Sequence, residues 1–258
     1  MRAITVSDLG YSVDGVALLH EVSFAVAAGQ MVGVIGPNGA GKTTLLQLLS
    51  GERPPTTGSI EIGGADLGGI ALEQLALRRS VLPQHHLLQF AFRCLDVVLM
   101  GRFPHPGSAE EAREVALEAM RETDTEHLES RRYTTLSGGE QTRVSFARVI
   151  AQDTPVVLLD EPTASLDLRH QELVMATLRG LADAGAAVVA VLHDINLAAR
   201  FVDQILLLDD GTVRGIGTPD EVLQPAALRE VYGIDVDVIR HPNDDCPLVV
   251  VAGSSRSI

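Results

Sequence analysis

Lysine is almost absent from this chain. Of the 20 lysine and arginine residues among 258, only Lys42 is a lysine, and the other 19 are arginines. One position has therefore kept an ammonium group where every other basic side chain is a guanidinium. This indicates a role at Lys42 that a planar, branched cation fills poorly.

Tryptophan is absent and aromatic residues make up only 3% of the chain, so a folded core must be aliphatic. Hydrophobic residues reach 46%, which in a chain of 258 residues is enough to bury a full α/β core with one smaller subdomain. Cysteine is also scarce, since only Cys94 and Cys246 are present. Two cysteines exclude a disulfide framework and a cysteine-ligated zinc site, and they are consistent with a reducing cytosol.

Positive charge is in short supply, because the formal net charge is −14. This excludes nucleic acid as the main partner, since a broad phosphate-binding face needs a basic stripe. Long apolar runs are missing as well. The longest, residues 186–192, is far below the ~20 residues that span a bilayer. We therefore expect that any work at a membrane depends on a partner.

A glycine-rich loop surrounds the single lysine. Residues 36–44 read GPNGAGKTT and match the phosphate-loop pattern G-x-x-x-x-G-K-[ST]. The apolar run at 30–35 predicts a buried strand before the loop, and residues 44–49 predict a helix after it. Such a loop offers backbone N–H groups and a helix dipole to a polyphosphate, while the compact ammonium of Lys42 reaches the β- and γ-phosphates. The sequence therefore predicts a nucleoside triphosphate site. Its predicted contacts are Gly36, Pro37, Asn38, Gly39, Ala40, Gly41, Lys42, Thr43 and Thr44.

Strand and helix patterns alternate along most of the chain. Apolar strand patterns at 156–159, 187–192 and 205–208 are separated by helical patterns at 168–182 and 196–201. This alternation predicts an α/β fold with a largely parallel sheet that is covered on both faces.

The middle and the end of the chain differ in character from this pattern. No strong strand pattern occurs between 84 and 156, so a helical subdomain is expected at about 85–150 within a domain of residues 1–240. Residues 241–258 contain clusters of proline, aspartate, glycine and serine, and they predict a loose C-terminal tail.

The strand pattern at 156–159 ends in two adjacent carboxylates, Asp160 and Glu161. An aspartate at a strand tip beside a phosphate loop can hold Mg²⁺ together with the hydroxyl of Thr43. The following glutamate can accept a proton from an attacking water. A strand that ends in a solvated acidic turn is also common, and only the phosphate loop upstream favours the functional interpretation.

Residues 136–141 read LSGGEQ. Ser137 and Glu140 form an S-x-x-E capping box that predicts a helix beginning near residue 141. Capping does not explain the two glycines, Gly138 and Gly139. Glycines at a helix N-terminus leave backbone N–H groups bare, which suits an incoming phosphate.

The order and spacing of these motifs, followed by a lone His193, resemble those of the ATP-binding cassette (ABC) ATPases over nearly the whole chain. The resemblance implies a P-loop NTPase fold: a RecA-like core with a mainly parallel sheet, an N-terminal antiparallel β subdomain and a helical insertion. It implies ATP and Mg²⁺ as cofactors and hydrolysis coupled to transport. It also implies a head-to-tail homodimer, in which Ser137, Gly138 and Gly139 of one subunit close over the nucleotide held by the other.

Further roles follow from the resemblance by position. Tyr11 matches the aromatic residue that stacks on adenine, and Gln84 matches the loop glutamine that reaches Mg²⁺ and the attacking water. Asp167 matches the loop that crosses between subunits, and His193 matches the histidine that contacts the γ-phosphate. The catalytic set implied in this way is Lys42, Gln84, Glu161 and His193, and the metal set is Thr43, Gln84 and Asp160.

Within that family, the chain resembles the ATP-binding subunits of haemin importers, in the group that serves iron-siderophore and cobalamin uptake. The similarity rests on residues 81–86, 90–92, 97–105 and 133–144. It implies a permease dimer as partner, an indirect link to a periplasmic or lipoprotein substrate-binding protein, and a peripheral position on the cytoplasmic face of the cell membrane. Import of an iron siderophore or of cobalamin is the alternative. A DNA-maintenance or translation-associated ATPase of this family is excluded, because the chain has one phosphate loop and no room for a coiled-coil arm.

Overall fold

The computed structural model describes residues 2–84 and 90–252, and the statements below refer to these ranges. The strands are β1 (Arg2–Val13), β2 (Val16–Ala27), β3 (Met31–Ile35), β4 (Thr57–Ile62), β5 (Ala65–Asp66), β6 (Arg79–Leu82), β7 (Val156–Asp160), β8 (Ala187–Val191), β9 (Gln204–Asp209), β10 (Thr212–Gly217), β11 (Val236–Arg240) and β12 (Pro247–Val251). The α-helices are α1 (Lys42–Leu49), α2 (Leu72–Ala76), α3 (Cys94–Leu99), α4 (Ala109–Glu122), α5 (Gly138–Ala151), α6 (Leu168–Asp183), α7 (Ile195–Phe201), α8 (Pro219–Val222) and α9 (Pro225–Tyr232).

A six-stranded sheet forms the centre of the fold, in the order β10-β9-β3-β8-β7-β6. All neighbours are parallel except β9 and β10, which form an antiparallel hairpin at the edge. Every residue of β3, β7 and β8 is buried, as expected for parallel strands that are covered on both faces. The carboxyl ends of β3, β8, β7 and β6 therefore meet at one edge of the sheet.

Two aliphatic cores cover the faces of this sheet. On one face, α1 and a four-stranded sheet in the order β2-β1-β4-β5 pack against it, and residues such as Ile4, Ile60 and Val189 meet there. On the other face, α6 and α7 pack, with Met175 and Leu178 among the buried side chains. The predicted α/β fold with an antiparallel β subdomain is confirmed.

The expected helical insertion contains α3, α4 and α5, which share a separate core. Val97, Met120, Tyr133 and Val144 are fully buried in it. The Tyr133 hydroxyl lies 2.9 Å from the Ser145 hydroxyl, so this buried polar group has a partner. Residues 85–86, part of the stretch on which the haemin-importer likeness rests, lie outside the described residues.

The C-terminal region differs from the loose tail that the sequence predicts from residue 241. β11 and β12 pair as an antiparallel hairpin from Val236 opposite Val251 to Arg240 opposite Pro247. Asn196 in α7 bonds both backbone groups of Val249, donating to its carbonyl (3.0 Å) and accepting from its N–H (2.7 Å). The proline and aspartate cluster at 242–245 is the hairpin loop, and the fold continues to residue 251.

None of the helices in the described ranges is both long enough and apolar enough to cross a membrane.

Candidate functional site

The phosphate loop connects β3 to α1 at the carboxyl edge of the sheet. Its backbone needs glycine at Gly36 (φ 151°), where an added Cβ would collide with the carbonyl oxygen of Leu208. The same holds at Gly41 (φ 97°), where a Cβ would lie 2.8 Å from the Leu19 side chain. The loop is therefore fitted against β9 and β2, and its shape is fixed by this packing.

Lys42 is held inside the loop rather than extended into solvent. Its side chain is only 6% exposed, and Nζ donates hydrogen bonds to the carbonyl oxygens of Gly36 and Pro37, both at 2.8 Å. Burial lowers the pKa of the ammonium, while the nearby carboxylates of Glu161 and Asp160 oppose that shift. The cation is thus positioned in advance for an anion bound by the loop.

Helix α1 begins at Lys42 without a side-chain cap in the described structure and without an acidic residue in its first turn. The first N–H groups of an α-helix have no partner within the helix. Together with the positive end of the helix dipole, they favour an anion at this point.

Asp160, the last residue of β7, carries a buried carboxylate that is only partly satisfied. The side chain is 4% exposed, and Oδ1 has no hydrogen-bond partner in the described structure. Burial raises the pKa of Asp160, a hydrogen bond with the side chain of Thr43 lowers it, and Glu161 raises it further. A partnerless carboxylate oxygen beside a threonine hydroxyl is a donor set that suits Mg²⁺. The residues present therefore fit the expected ion.

Glu161 and His193 form a close pair between the ends of two neighbouring strands. Glu161 Oε1 lies 2.5 Å from His193 Nε2, an ion-pair contact when the imidazole is protonated. The backbone N–H of Glu161, at φ 53°, donates to the Val191 carbonyl at 3.1 Å, which ties the end of β7 to β8. The Glu161 side chain is 14% exposed and that of His193 is 48% exposed.

Lys42, Glu161 and His193 line one cavity of about 260 Å³, and Asp160 lies beside it through its bond with Thr43. Its lining residues are Ala17, Leu18, Asn38, Gly39, Gly41, Lys42, Thr43, Thr44, Glu161, His193, Asp210 and Gly211. Four of them, in β2 and the β9–β10 turn, were not predicted from the sequence. The only local signal was the Asp-Gly pair at 210–211, which is typical of a two-residue hairpin turn.

Two residues expected at the nucleotide do not line this cavity. Tyr11 is half-buried against the aliphatic core beneath the antiparallel sheet, and its hydroxyl accepts a hydrogen bond from Arg53 at 3.0 Å. Gln84 follows β6 at the same sheet edge, but its side chain is exposed. The expected contacts of Tyr11 with adenine and of Gln84 with the metal stay predictions.

The LSGGEQ segment lies at a second cavity, together with residues 165–167. Ser137 caps α5 and shares a reciprocal capping box with Glu140, as the sequence predicts. Gly139 packs so closely that a Cβ would lie 3.0 Å from the Ser165 carbonyl oxygen. Asp167 caps α6 and accepts from the backbone N–H of His170 at 2.9 Å. The serine-glycine motif and the phosphate loop thus occupy separate cavities of one chain.

Comparison with known proteins points to one family. Residues 19–164 match the family described as ABC transporter. The chain is 47% identical over 256 residues to the hemin import ATP-binding protein HmuV of Gloeobacter violaceus, covering 96% of this chain and 93% of that protein. A transporter described as of the metal-chelate type, in an inward-facing conformation, shares 28% identity with a TM-score of 0.83 and covers 98% of each chain. A dimeric ATP-binding cassette in a post-hydrolysis state with ADP and Pi shares 29% identity with a TM-score of 0.75, covering 83% of this chain and 98% of that one.

Proposed function

This chain belongs to the ABC transporter family, and on that premise we propose that it hydrolyses ATP to drive the import of haemin across the cytoplasmic membrane through a partner permease. The proposal of ATP hydrolysis is supported by one cavity that contains the uncapped N-terminus of α1, the buried ammonium of Lys42 and the Glu161–His193 pair. Haemin as cargo rests on the similarity to haemin-import subunits over nearly the full length of both chains.

Hydrolysis needs charge stabilisation and an oriented water. Lys42 and the free N–H groups of α1 neutralise phosphate charge at positions that are fixed before the substrate binds, so little reorganisation is needed. Glu161 orients the attacking water and accepts its proton, a role that contributes about 10²–10⁴-fold in rate. The close contact of His193 with Glu161 keeps both side chains at the cavity that holds the phosphate loop, where the histidine can reach the terminal phosphate.

Thr43 and Asp160 would hold Mg²⁺, and when bound the ion supplies Lewis-acid charge stabilisation to the phosphates. Oδ1 of Asp160 is buried without a hydrogen-bond partner in the described structure, an arrangement that destabilises the fold unless a metal ion binds there.

The separation of the two cavities supports a head-to-tail homodimer. Ser137, Gly138 and Gly139 lie at a cavity that the phosphate loop does not share, so a second subunit must bring these residues to the nucleotide. The helix that begins at Gly138 then points its N-terminus at the partner's phosphates.

A docking surface for the permease is provided by aromatic side chains of the helical insertion. Phe90, Phe92 and Phe103 are 73%, 38% and 79% exposed, in a chain that has only six phenylalanines. The rings of Phe90 and Phe92 lie 6.1 Å apart, and a contiguous exposed apolar patch marks an interaction site. Through this contact the chain lies on the cytoplasmic face of the membrane, and a substrate-binding protein acts on it only through the permease.

The test is transport by the reconstituted complex. Vesicles that contain a haemin-importer permease and this chain should take up haemin when ATP is supplied to the chain. Glu161→Gln should still assemble but should lose uptake, because the amide keeps the shape of the side chain and cannot take a proton. Uptake of cobalamin or a ferric siderophore in place of haemin would contradict the cargo and leave the ATPase function standing.

A further inference from the structure

The β9–β10 turn brings a carboxylate to the phosphate-loop cavity that the hydrolytic chemistry does not use. Among the described residues that line this cavity, two carry carboxylates, Glu161 and Asp210. Glu161 follows β7, and Asp210 follows β9. In the sheet, β7 lies on one side of β3 and its phosphate loop, and β9 lies on the other. The two acids therefore lie on opposite sides of the loop.

The turn that carries Asp210 is fixed to both of its neighbours. The N–H of Gly211 donates to the phosphate-loop carbonyl of Ala40 (3.1 Å), and the N–H of His20 in β2 donates to the Gly211 carbonyl (2.8 Å). Asp210 and Gly211 have φ values of 46° and 69°, which a type I′ hairpin turn requires. A Cβ on Gly211 would lie 2.5 Å from the Leu18 carbonyl oxygen. The backbone of Asp210 is thus held in place relative to the loop.

The direction of the bound nucleotide follows from the hydrolytic pair. The terminal phosphate must lie near Glu161 and His193, on the β7–β8 side of the loop. The sugar and base then extend toward the opposite side of the cavity, which is lined by Ala17, Leu18 and Asp210. The exposed aliphatic side chain of Leu18 offers the base an apolar contact.

A carboxylate only accepts hydrogen bonds, so Asp210 needs a donor on the ligand. The phosphates of ATP also only accept, and their charge repels an acid. The donors that remain are the two ribose hydroxyls and the exocyclic amine of adenine. Asp210 is one residue from Gly211, which bonds the phosphate loop directly, so the sugar lies nearer to it than the base does.

We propose that Asp210 binds the ribose hydroxyls of the nucleotide and makes this site select ribonucleotides over deoxyribonucleotides. The proposal rests on the ATP binding described above and adds a specificity residue to it.

The test compares ATP with 2′-deoxy-ATP, 3′-deoxy-ATP and inosine triphosphate, with affinities measured by calorimetry without Mg²⁺ to prevent hydrolysis. The wild type should bind ATP about tenfold more tightly than at least one deoxynucleotide, the effect of one hydrogen bond to a charged group. In Asp210→Gly this ratio should fall to about one, because glycine keeps the positive φ and removes the carboxylate. Asp210→Asn, which also tolerates this backbone, should give an intermediate ratio.

The chain contains a matched control in its other Asp-Gly hairpin turn. Asp14 and Gly15 connect β1 to β2 with φ values of 51° and 81°, and neither residue lines the cavity. Asp14→Gly removes the same charge from the same kind of turn. It should change affinities for all triphosphates equally, if at all, and should leave the ratio of ATP to deoxynucleotide unchanged.

Three results would overturn the proposal. Equal affinity of the wild type for ATP and both deoxynucleotides would exclude the ribose contact. An unchanged ratio in Asp210→Gly would assign the discrimination to another group. If Asp210→Gly loses only the preference for ATP over inosine triphosphate, Asp210 contacts the exocyclic amine of the base and not the ribose. A wild type that binds neither ATP nor inosine triphosphate would refute the proposed function itself, which is a separate result.

Discussion

Replacing Asp160 with asparagine should stabilise the chain in the absence of ligand. The carboxylate is 4% exposed and its Oδ1 has no partner in the described structure. A buried polar group left without a partner costs about 1–3 kcal/mol, and more when it is charged. Asparagine stays polar but carries no charge, so only the part of the cost that comes from burying the charge is removed. The variant gives up the attraction of Asp160 to Lys42 and His193, which offsets part of this gain, and it also removes the repulsion from Glu161. We expect a net gain of about 1 kcal/mol, which raises the melting temperature by about 2–4 °C in a domain of this size.

The stability that Asp160→Asn gains over the wild type should increase with pH. Burial raises the pKa of Asp160, so the folded chain binds this proton more tightly than the unfolded chain does. The carboxyl group therefore favours folding at a pH below its ordinary value of about 3.9, and that contribution is lost as the pH rises through the raised value. Asparagine does not titrate. The stability difference between variant and wild type should consequently widen from pH 4 toward neutrality.

Mg-ATP should make the wild type more stable than Asp160→Asn, the reverse of the order without ligand. A ligand at 100 times its dissociation constant stabilises a protein by about 2.7 kcal/mol, and Mg-ATP should give the wild type a shift of this kind. Asp160→Asn should gain less from adding Mg²⁺ to ATP, because the carboxylate oxygen that suits the metal is gone. Thermal unfolding of both proteins with no ligand, with ATP and EDTA, and with Mg-ATP measures the ligand-free stability, the effect of ATP and the added effect of Mg²⁺.

Asp237→Asn is the matched control, since Asp237 is an exposed acid in β11 and loses the same charge. It should change neither the melting temperature nor the Mg²⁺ effect. A lower melting temperature for ligand-free Asp160→Asn, or an undiminished Mg²⁺ effect, would refute the assignment of this oxygen as a stored metal ligand.

Two further predictions concern the subunit interface and the single lysine. Ser137→Arg should keep nucleotide binding by the isolated subunit and abolish ATP turnover. Mixing Ser137→Arg subunits with Lys42→Ala subunits should restore at most one working site per dimer. Normal ATPase activity of Ser137→Arg alone would mean that one chain is sufficient for hydrolysis. An amine-acylating reagent should modify only Lys42 and the N-terminal amine, and ATP should protect Lys42 alone when the products are mapped by peptide mass. Lys42→Arg should lose activity although it keeps the charge, because a planar guanidinium cannot make the point contact, and full activity would contradict that role.

The central sheet was predictable because its strands are buried on both faces and read as short apolar runs. Strands β7 and β8 begin at the residues that the pattern indicates, and helix α6 begins at Leu168 as predicted. The edge strand β10 was missed, since its partly exposed residues do not form an apolar run. The hairpin of β11 and β12 was missed because its loop carries the proline and aspartate residues that are typical of a disordered tail.

The residues of the site were predictable to different degrees. Lys42, Thr43, Glu161 and His193 come directly after parallel strands or begin the helix that follows, so neighbouring strands bring them to one edge. Asp210 belongs to an antiparallel hairpin, and its distance from the phosphate loop depends on the bond between Gly211 and Ala40. No sequence spacing encodes that contact, because the two partners are 171 positions apart.

Tyr11 shows why position in a motif does not fix the direction of a side chain. In a regular strand, alternate residues point to opposite faces, and a shift of one residue reverses every side chain. The pairing of β1 with β2 is irregular on both sides of Tyr11, between Leu9 and Tyr11 and again between Tyr11 and Ser12. Bulges of this kind re-aim the side chains around them.

The irregular pairing places the Tyr11 hydroxyl beside Arg53 instead of at the cavity. Arg53 is separated from it by 42 residues, so the sequence around Tyr11 gives no sign of this partner. The side of the cavity that an aromatic ring was expected to form is lined instead by Ala17, Leu18 and Asp210. The proposed contact of Asp210 with the ribose adds a carboxylate to this side of the cavity, and Asp210→Gly tests it through the ratio of the affinities for ATP and the deoxynucleotides. Stacking of Tyr11 on adenine stays a prediction, because its hydroxyl bond to Arg53 fixes the tip of the side chain and not which face of the ring a base can reach.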